Sequence, residues 1–224
     1  MRRFLRENAL SMAFGTIFLA ALVGQALAGW AAFNNEQLGQ NLSQVSLGHY
    51  VTSSSFAADV AENWQSEYLQ FSLYILATVW LVQRGSTESK TPDQAGLGSD
   101  EEQLTGGFAR ADSPTWARVG GGRTAVFSWS LSLMMLAIFL GSWFVQSVAG
   151  WSAYNEQQMQ QMQDPLGYAA YLLNSDFWSR TLQNWQSEFL AVGSMAVLSV
   201  YLRQRGSPQS KPVGASHATT GDET

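Results

Sequence analysis

Two stretches of this chain run without a formal charge for longer than a bilayer is thick. Glu7 and Glu36 are separated by 28 uncharged residues, and Arg123 and Glu156 by 32. A hydrocarbon layer of about 30 Å needs about 20 predominantly apolar residues in a helix, so each stretch predicts a membrane span. The first runs over about 10–32 and the third over about 125–153. Shorter uncharged runs, 16 residues between Glu67 and Arg84 and 14 between Glu188 and Arg203, predict the return spans, about 64–83 and 184–204. Mean hydropathy is slightly negative only because the remainder is rich in Gly, Ser, Gln and Asp.

The chain also repeats itself. Gln25–Gln37 (QALAGWAAFNNEQ) matches residues 146–158 (QSVAGWSAYNEQQ), NWQSEYL (63–69) matches NWQSEFL (184–190), and RGSTESK (84–90) matches RGSPQSK (205–211). All three pairs are 121 residues apart, as are Tyr50, Ser54 and Phe56 from Tyr171, Ser175 and Phe177. A fixed spacing predicts one supersecondary unit used twice. The expected fold is therefore all-α and polytopic: four transmembrane helices as two tandem helical hairpins. Two spans per copy make the copies parallel repeats about an axis along the membrane normal. Residues 1–90 form the first hairpin, 91–124 a flexible linker, 125–205 the second hairpin and 206–224 a disordered tail.

Basic residues set the sides. Arg2, Arg3 and Arg6 precede span one; Arg84, Lys90, Arg110, Arg118 and Arg123 lie between spans two and three; Arg203, Arg205 and Lys211 follow span four. Only Arg180 falls in the other compartment, so the positive-inside rule places both termini and the linker in the cytoplasm. Trp30, Trp64, Trp151 and Trp185 fall near the opposite interface, where amphipathic rings prefer to sit. A rival reading takes the start as a secretory signal cleaved after Ala26-Leu27-Ala28. The Arg-Arg-Phe-Leu-Arg start also approaches a twin-arginine signal, without the residue between the arginine pair and the phenylalanine. Against cleavage, the same stretch recurs internally at 146–151, where no signal peptidase acts.

The second and fourth helices are expected to begin outside the bilayer, capped by Ser54 or Ser55 and by Ser175, and to run to Gln83 and Gln204. Asp164-Pro165 is expected to end the third helix, because proline disfavours helix at the residue before it.

The Arg-Arg-Phe-Leu-Arg-Glu-Asn start, Gly-Gln-Ala-Leu-Ala-Gly-Trp, Asn-Trp-Gln-Ser-Glu-Phe-Leu and Leu-Arg-Gln-Arg-Gly-Ser-Pro-Gln-Ser-Lys resemble an uncharacterised family of bacterial four-helix membrane proteins, a domain of unknown function. The resemblance covers nearly the whole chain except linker and tail. It implies the bacterial inner membrane and no particular activity. Relatives carry Ser-Gly-His-Phe before the second helix; here those stretches are Ser53-Ser54-Ser55-Phe56 and Asn174-Ser175-Asp176-Phe177, so any role of that histidine is absent.

Some polar groups fall where hydrocarbon makes them costly. Counting back from Leu202 places Glu188, and similarly Glu67, roughly 7 Å inside the outer hydrocarbon edge. Two readings stand: a paired-carboxylate site with Asn63 and Asn184 one turn away, or two glutamates in the headgroup region of a tilted or thinned bilayer, which is the preferred one. Asp59 and Arg180, equivalent positions of opposite charge, are expected to form a salt bridge; the alternative is two unrelated solvated charges. Gln25 and Gln146, on the lines Ala21-Gln25-Gly29 and Ser142-Gln146-Gly150, are expected as interhelical polar contacts.

With no cysteine, thiolate metal sites, disulfides and cysteine nucleophiles are excluded. His49 has no second ligand at metal spacing and His217 lies in the tail, so no metal is expected. Gly120-Gly121-Gly122 lacks a phosphate loop's lysine. No catalytic residue, enzymatic activity or cofactor is expected. The net charge of −5 with no basic cluster argues against nucleic acid. Membrane lipid is the expected partner. The sequence points to a structural or interaction protein of the inner membrane, or else to a small proton- or cation-coupled transporter at Glu67 and Glu188, which would require a homodimer.

Overall fold

A computed structural model describes residues 2–221 of the chain. Met1, the side chain of Arg2 and the last three residues of the expected tail lie outside the described residues. Among those described, regular structure is helical throughout, with no strand. The helices are α1 (Arg2–Glu7), α2 (Ala9–Gly39), α3 (Leu47–Val51), α4 (Ser54–Trp80), α5 (Thr115–Arg118), α6 (Gly121–Ser128), α7 (Ser130–Gln160), α8 (Tyr168–Tyr171) and α9 (Ser175–Tyr201). The chain divides into two compact units. One takes the chain up to Ala61 with Val145–Leu172; the other takes Glu62–Phe144 with the chain from Leu173 onward.

Among the described residues two helices, α2 and α7, are long and apolar enough to cross a membrane. Each has 31 residues, or about 46 Å of helix. The expectation of four spans is not met on the same terms. α4 and α9 have 27 residues, ample for a span, but their first halves carry Asp59, Glu62 and Glu67, or Asp176, Arg180 and Glu188. Those charges dilute the apolar run to the short second half. The third helix also starts later than expected: Trp129 breaks it, leaving α6 separate from α7.

The helix boundaries correct the sequence reading in three places. The caps lie one residue earlier than expected, at Ser53, whose Oγ accepts from Phe56 N–H at 3.2 Å, and at Asn174, whose Oδ1 accepts from Asp176 N–H at 2.8 Å. α4 and α9 stop at Trp80 and Tyr201, three residues short of Gln83 and Gln204. α7 ends before Asp164-Pro165 is reached. Met162 adopts a left-handed φ of 57°, and Gln163 N–H bonds the Gln158 carbonyl at 2.8 Å. α2 ends the same way at Asn41 (φ 59°), with Leu42 N–H on the Gln37 carbonyl at 2.8 Å and no proline nearby. The helix end is therefore a Schellman closure and not a proline stop.

After each of these ends the chain is pinned back to its helix. Trp30 Nε1 donates to the Val45 carbonyl at 2.7 Å; Asn34 donates to the same carbonyl at 3.1 Å and accepts from Val45 N–H at 2.8 Å. The same three bonds join Trp151 and Asn155 to Leu166, at 2.7, 2.9 and 2.8 Å. Each asparagine thus pairs with both polar groups of one backbone residue, as a neighbouring strand would. Next comes a buried tyrosine whose hydroxyl closes on a helix glycine: Tyr50 on Gly29, Tyr171 on Gly150. Burial, and then the Asp59 carboxylate, hold the Tyr50 phenol above its ordinary pKa.

The segments after α4 and α9 are also tied down. Gln83 N–H donates to Ser89 Oγ at 2.7 Å, and Gln204 N–H to Ser210 Oγ at 2.9 Å. Lys90 Nζ reaches the Gly96 carbonyl at 2.6 Å, while Lys211, 1% exposed, donates to the carbonyls of Ser216, His217 and Thr219 at 3.1, 3.1 and 3.2 Å. The returning chain then satisfies a helix carbonyl: Gly96 N–H on Val79 at 2.7 Å, His217 Nδ1 on Val200 at 3.0 Å. The polar composition of the tail did not announce these bonds.

Among the described residues, eight apolar side chains are buried against fifteen polar ones, while most large apolar side chains of α2 face outward. A water-soluble fold has the opposite arrangement.

Candidate functional site

Within the second unit, α4 from Glu62 onward and α9 carry most of the polar groups singled out in the sequence. Helical periodicity decides which of them face inward. Gln65 and Ser72, seven apart, share one face of α4 and are buried, Gln65 completely. Glu67 lies nearly opposite, two positions and about 200° further round, and is exposed, as is Asn63. On α9, Phe177, Thr181 and Ser199 are buried, Asn184 and Glu188 are half-buried.

The inward residue Gln65 makes one contact between these helices. Its Oε1 accepts from Trp185 Nε1 at 2.7 Å and its Nε2 donates to the Glu62 carbonyl at 3.0 Å. Trp185 belongs to an aromatic cluster centred on Trp143 of α7. Ring centroids of Phe139, Phe177, Trp178 and Trp185 lie 5.6, 6.2, 6.3 and 6.1 Å from that of Trp143. The Trp143 Nε1 and, elsewhere in the unit, Gln70 Oε1 are buried with no hydrogen-bond partner among the described residues. Each forfeits roughly 1–3 kcal/mol if nothing meets it.

One turn outward from Asn184, Arg180 pairs with Glu62 at 3.2 Å and with Asp176 at 3.7 Å. Glu62, one turn along α4 from Asp59, is a partner of Arg180 that the sequence pattern did not single out. Asn184 Nδ2 donates to the Arg180 carbonyl at 3.0 Å. Glu67 on α4 is exposed and Glu188 on α9 half-buried. In the first unit, Gln146 is buried, whereas Gln25 is half-buried and makes no side-chain hydrogen bond to a described residue. Gly29 and Gly150 receive the tyrosine hydroxyls of short helices, which is what their missing side chains make room for.

Sequence reasoning passed over Gln65, the Trp143 cluster and the asparagines Asn34 and Asn155. The asparagines had a signal, since both stand four residues after the tryptophan in the repeated Ala-Gly-Trp block. Gln65 had none that separated it from Gln186, its exposed counterpart in the repeat.

A family described as a domain of unknown function (DUF6766) matches residues 1–222. No curated protein and no solved structure matches the chain.

Proposed function

The chain belongs to the family of domains of unknown function DUF6766, and from that premise we propose that it is an integral membrane protein of the bacterial inner membrane with a structural or interaction role. Its fold in this reading is two tandem helical hairpins, four spans in all, with both termini in the cytoplasm. The observation that carries the reading is the inverted interior. Leu10, Phe14, Ile17, Leu19 and Val23 of α2 all face outward, while most buried positions among the described residues hold polar side chains, chiefly Gln, Asn, Ser and Thr. An apolar helix surface of that length is stable against lipid and not against water. The recurrence of the same bonds at a spacing of 121 residues, around Val45 and Leu166 and around Ser89 and Ser210, supports a duplicated hairpin. The polar first halves of α4 and α9 then project beyond the hydrocarbon, and Asp59 stands within the same projecting helix as Glu62.

The test is recovery of the chain with an intact N-terminal epitope tag from membranes washed at alkaline pH. Retention with the tag supports an uncleaved span. Release, or loss of the tag with its first helix, refutes it.

A second reading starts from Glu67 and Glu188, carboxylates at equivalent positions of the two Asn-Trp-Gln-Ser-Glu repeats. In it the two carboxylates form a proton or cation site of a small dimeric transporter. Proteoliposomes carrying wild type should then show flux that the Glu67→Gln/Glu188→Gln double variant abolishes. Flux that is absent or indifferent to the substitutions removes this reading.

A further inference from the structure

The stretch between the last acidic residue of the linker and the start of α7 has a composition unlike the rest of the linker. Asp112 is followed by no Asp or Glu until Glu156, while Arg118 and Arg123 fall in that interval and Arg110 just before it. All three arginines are exposed, and none of them forms an ion pair with a described residue. Beside them stand large apolar side chains that the fold leaves uncovered: Phe108, Trp116, Val119, Val126 and Phe127, with Trp116 47% exposed. The segment is nonetheless ordered. α5 and α6 are linked by Thr124 Oγ1 donating to the Trp116 carbonyl at 2.6 Å, and Arg118 reaches the Ala111 carbonyl at 3.4 Å. The break at Trp129 separates this piece from α7, the apolar helix it leads into.

We propose that residues 108–128 form an interfacial anchor that lies on the cytoplasmic leaflet, its aromatic and aliphatic side chains in the headgroup boundary and its arginines on anionic phospholipid. The inference rests on the membrane reading above. Aromatic rings next to unpaired cations are the chemistry that an anionic lipid surface accepts: rings sit at headgroup depth and arginine stems lie along the apolar layer with the guanidinium on phosphate. Continuity argues for lipid over a protein partner, because the segment runs directly into a span and is held at the surface by it. The break at Trp129 lets α6 turn from the span axis.

The absence of cysteine makes the test direct. The full-length Trp116→Cys variant carries one thiol, to be labelled with an environment-sensitive fluorophore after reconstitution into nanodiscs of phosphatidylcholine alone or mixed with phosphatidylglycerol. Co-elution with the nanodisc checks the membrane reading separately; failure there is failure of that reading alone. With the protein integrated, the expected result is quenching by spin-labelled headgroup lipid and protection from iodide in the anionic disc. High salt should reverse this, and Arg110→Gln, Arg118→Gln and Arg123→Gln should each lower the docked-to-free ratio about fivefold. A label at Gln94→Cys stays in water throughout. A Trp116→Cys label that iodide reaches equally in both discs overturns the proposal. So does one shielded from iodide and from lipid quencher alike, which would mean that protein covers it.

Discussion

At the scale of single residues, three positions carry interactions whose removal has a defined sign. Met162 holds a left-handed φ of 57° and is 97% exposed, so its side chain gains nothing for that strain. Met162→Gly should stabilise the chain by about 1 kcal/mol, since glycine adopts this conformation without the Cβ clash. Thermal unfolding in detergent reads it, and an unchanged or lower midpoint contradicts it. At Gly150 an added Cβ would stand 2.6 Å from the Tyr171 hydroxyl. Gly150→Ala should cost about 1–3 kcal/mol, and Tyr171→Phe in the same chain should recover most of it; a double variant no better than the single one would show the clash lies elsewhere. Gln65→Leu leaves the Trp185 indole N–H without its acceptor. That should cost about 1–2 kcal/mol, while Gln186→Leu, at the exposed equivalent position, should fall within about 0.5 kcal/mol of wild type. Equal effects at the two positions would mean the buried bond does not matter. The difference between these two glutamines was invisible in the sequence. Both sit in the same Asn-Trp-Gln-Ser-Glu words, and only packing, which depends on residues far along the chain, turns one inward.

At the scale of elements, the sequence foretold that helices exist and roughly where, because charge-free runs and a 121-residue spacing are local counts. It misplaced their ends, because a helix ends where its last carbonyls find donors. At α7 the donors come from the Met162 turn and not from the Asp164-Pro165 dipeptide that composition favours. At α9 one donor is His217, sixteen residues beyond the last helical residue, and no local pattern announces that. The tail is the clearest case. Serine, glycine and polar residues suggested disorder, whereas Lys211 is buried among three carbonyls and Gly85 N–H donates to Thr220 Oγ1 at 2.8 Å. Burial first, and then Arg203, push the Lys211 ammonium below its ordinary pKa. Over the range between the lowered value and the ordinary one the free tail therefore binds more protons than the docked tail. Linkage then makes docking stronger as pH rises through that range. Amide exchange, corrected for its intrinsic pH dependence, should show protection of Gly85 and Gly221 growing as pH climbs toward the ordinary lysine value. Protection that falls instead would mean the ammonium favours the docked state.

At the scale of the whole molecule, buried polar side chains outnumber buried apolar ones among the described residues, and α2 and α7 are the two helices there apolar enough to span. In the proposed membrane reading the number of spans turns on α4 and α9, whose first halves are polar. Four spans and two spans predict different sides for the loops, and a chain without cysteine lets each loop be tested alone. Single variants Gln40→Cys, Gln94→Cys, Gln163→Cys and Gln209→Cys should be treated with a membrane-impermeant maleimide on intact cells and after lysis. Four spans with cytoplasmic termini predict labelling of positions 40 and 163 from outside, and of 94 and 209 only after lysis. Labelling of 40 and 94 from outside, with 163 protected until lysis, would show that α4 and α9 do not cross and would contradict the four-span hairpin pair.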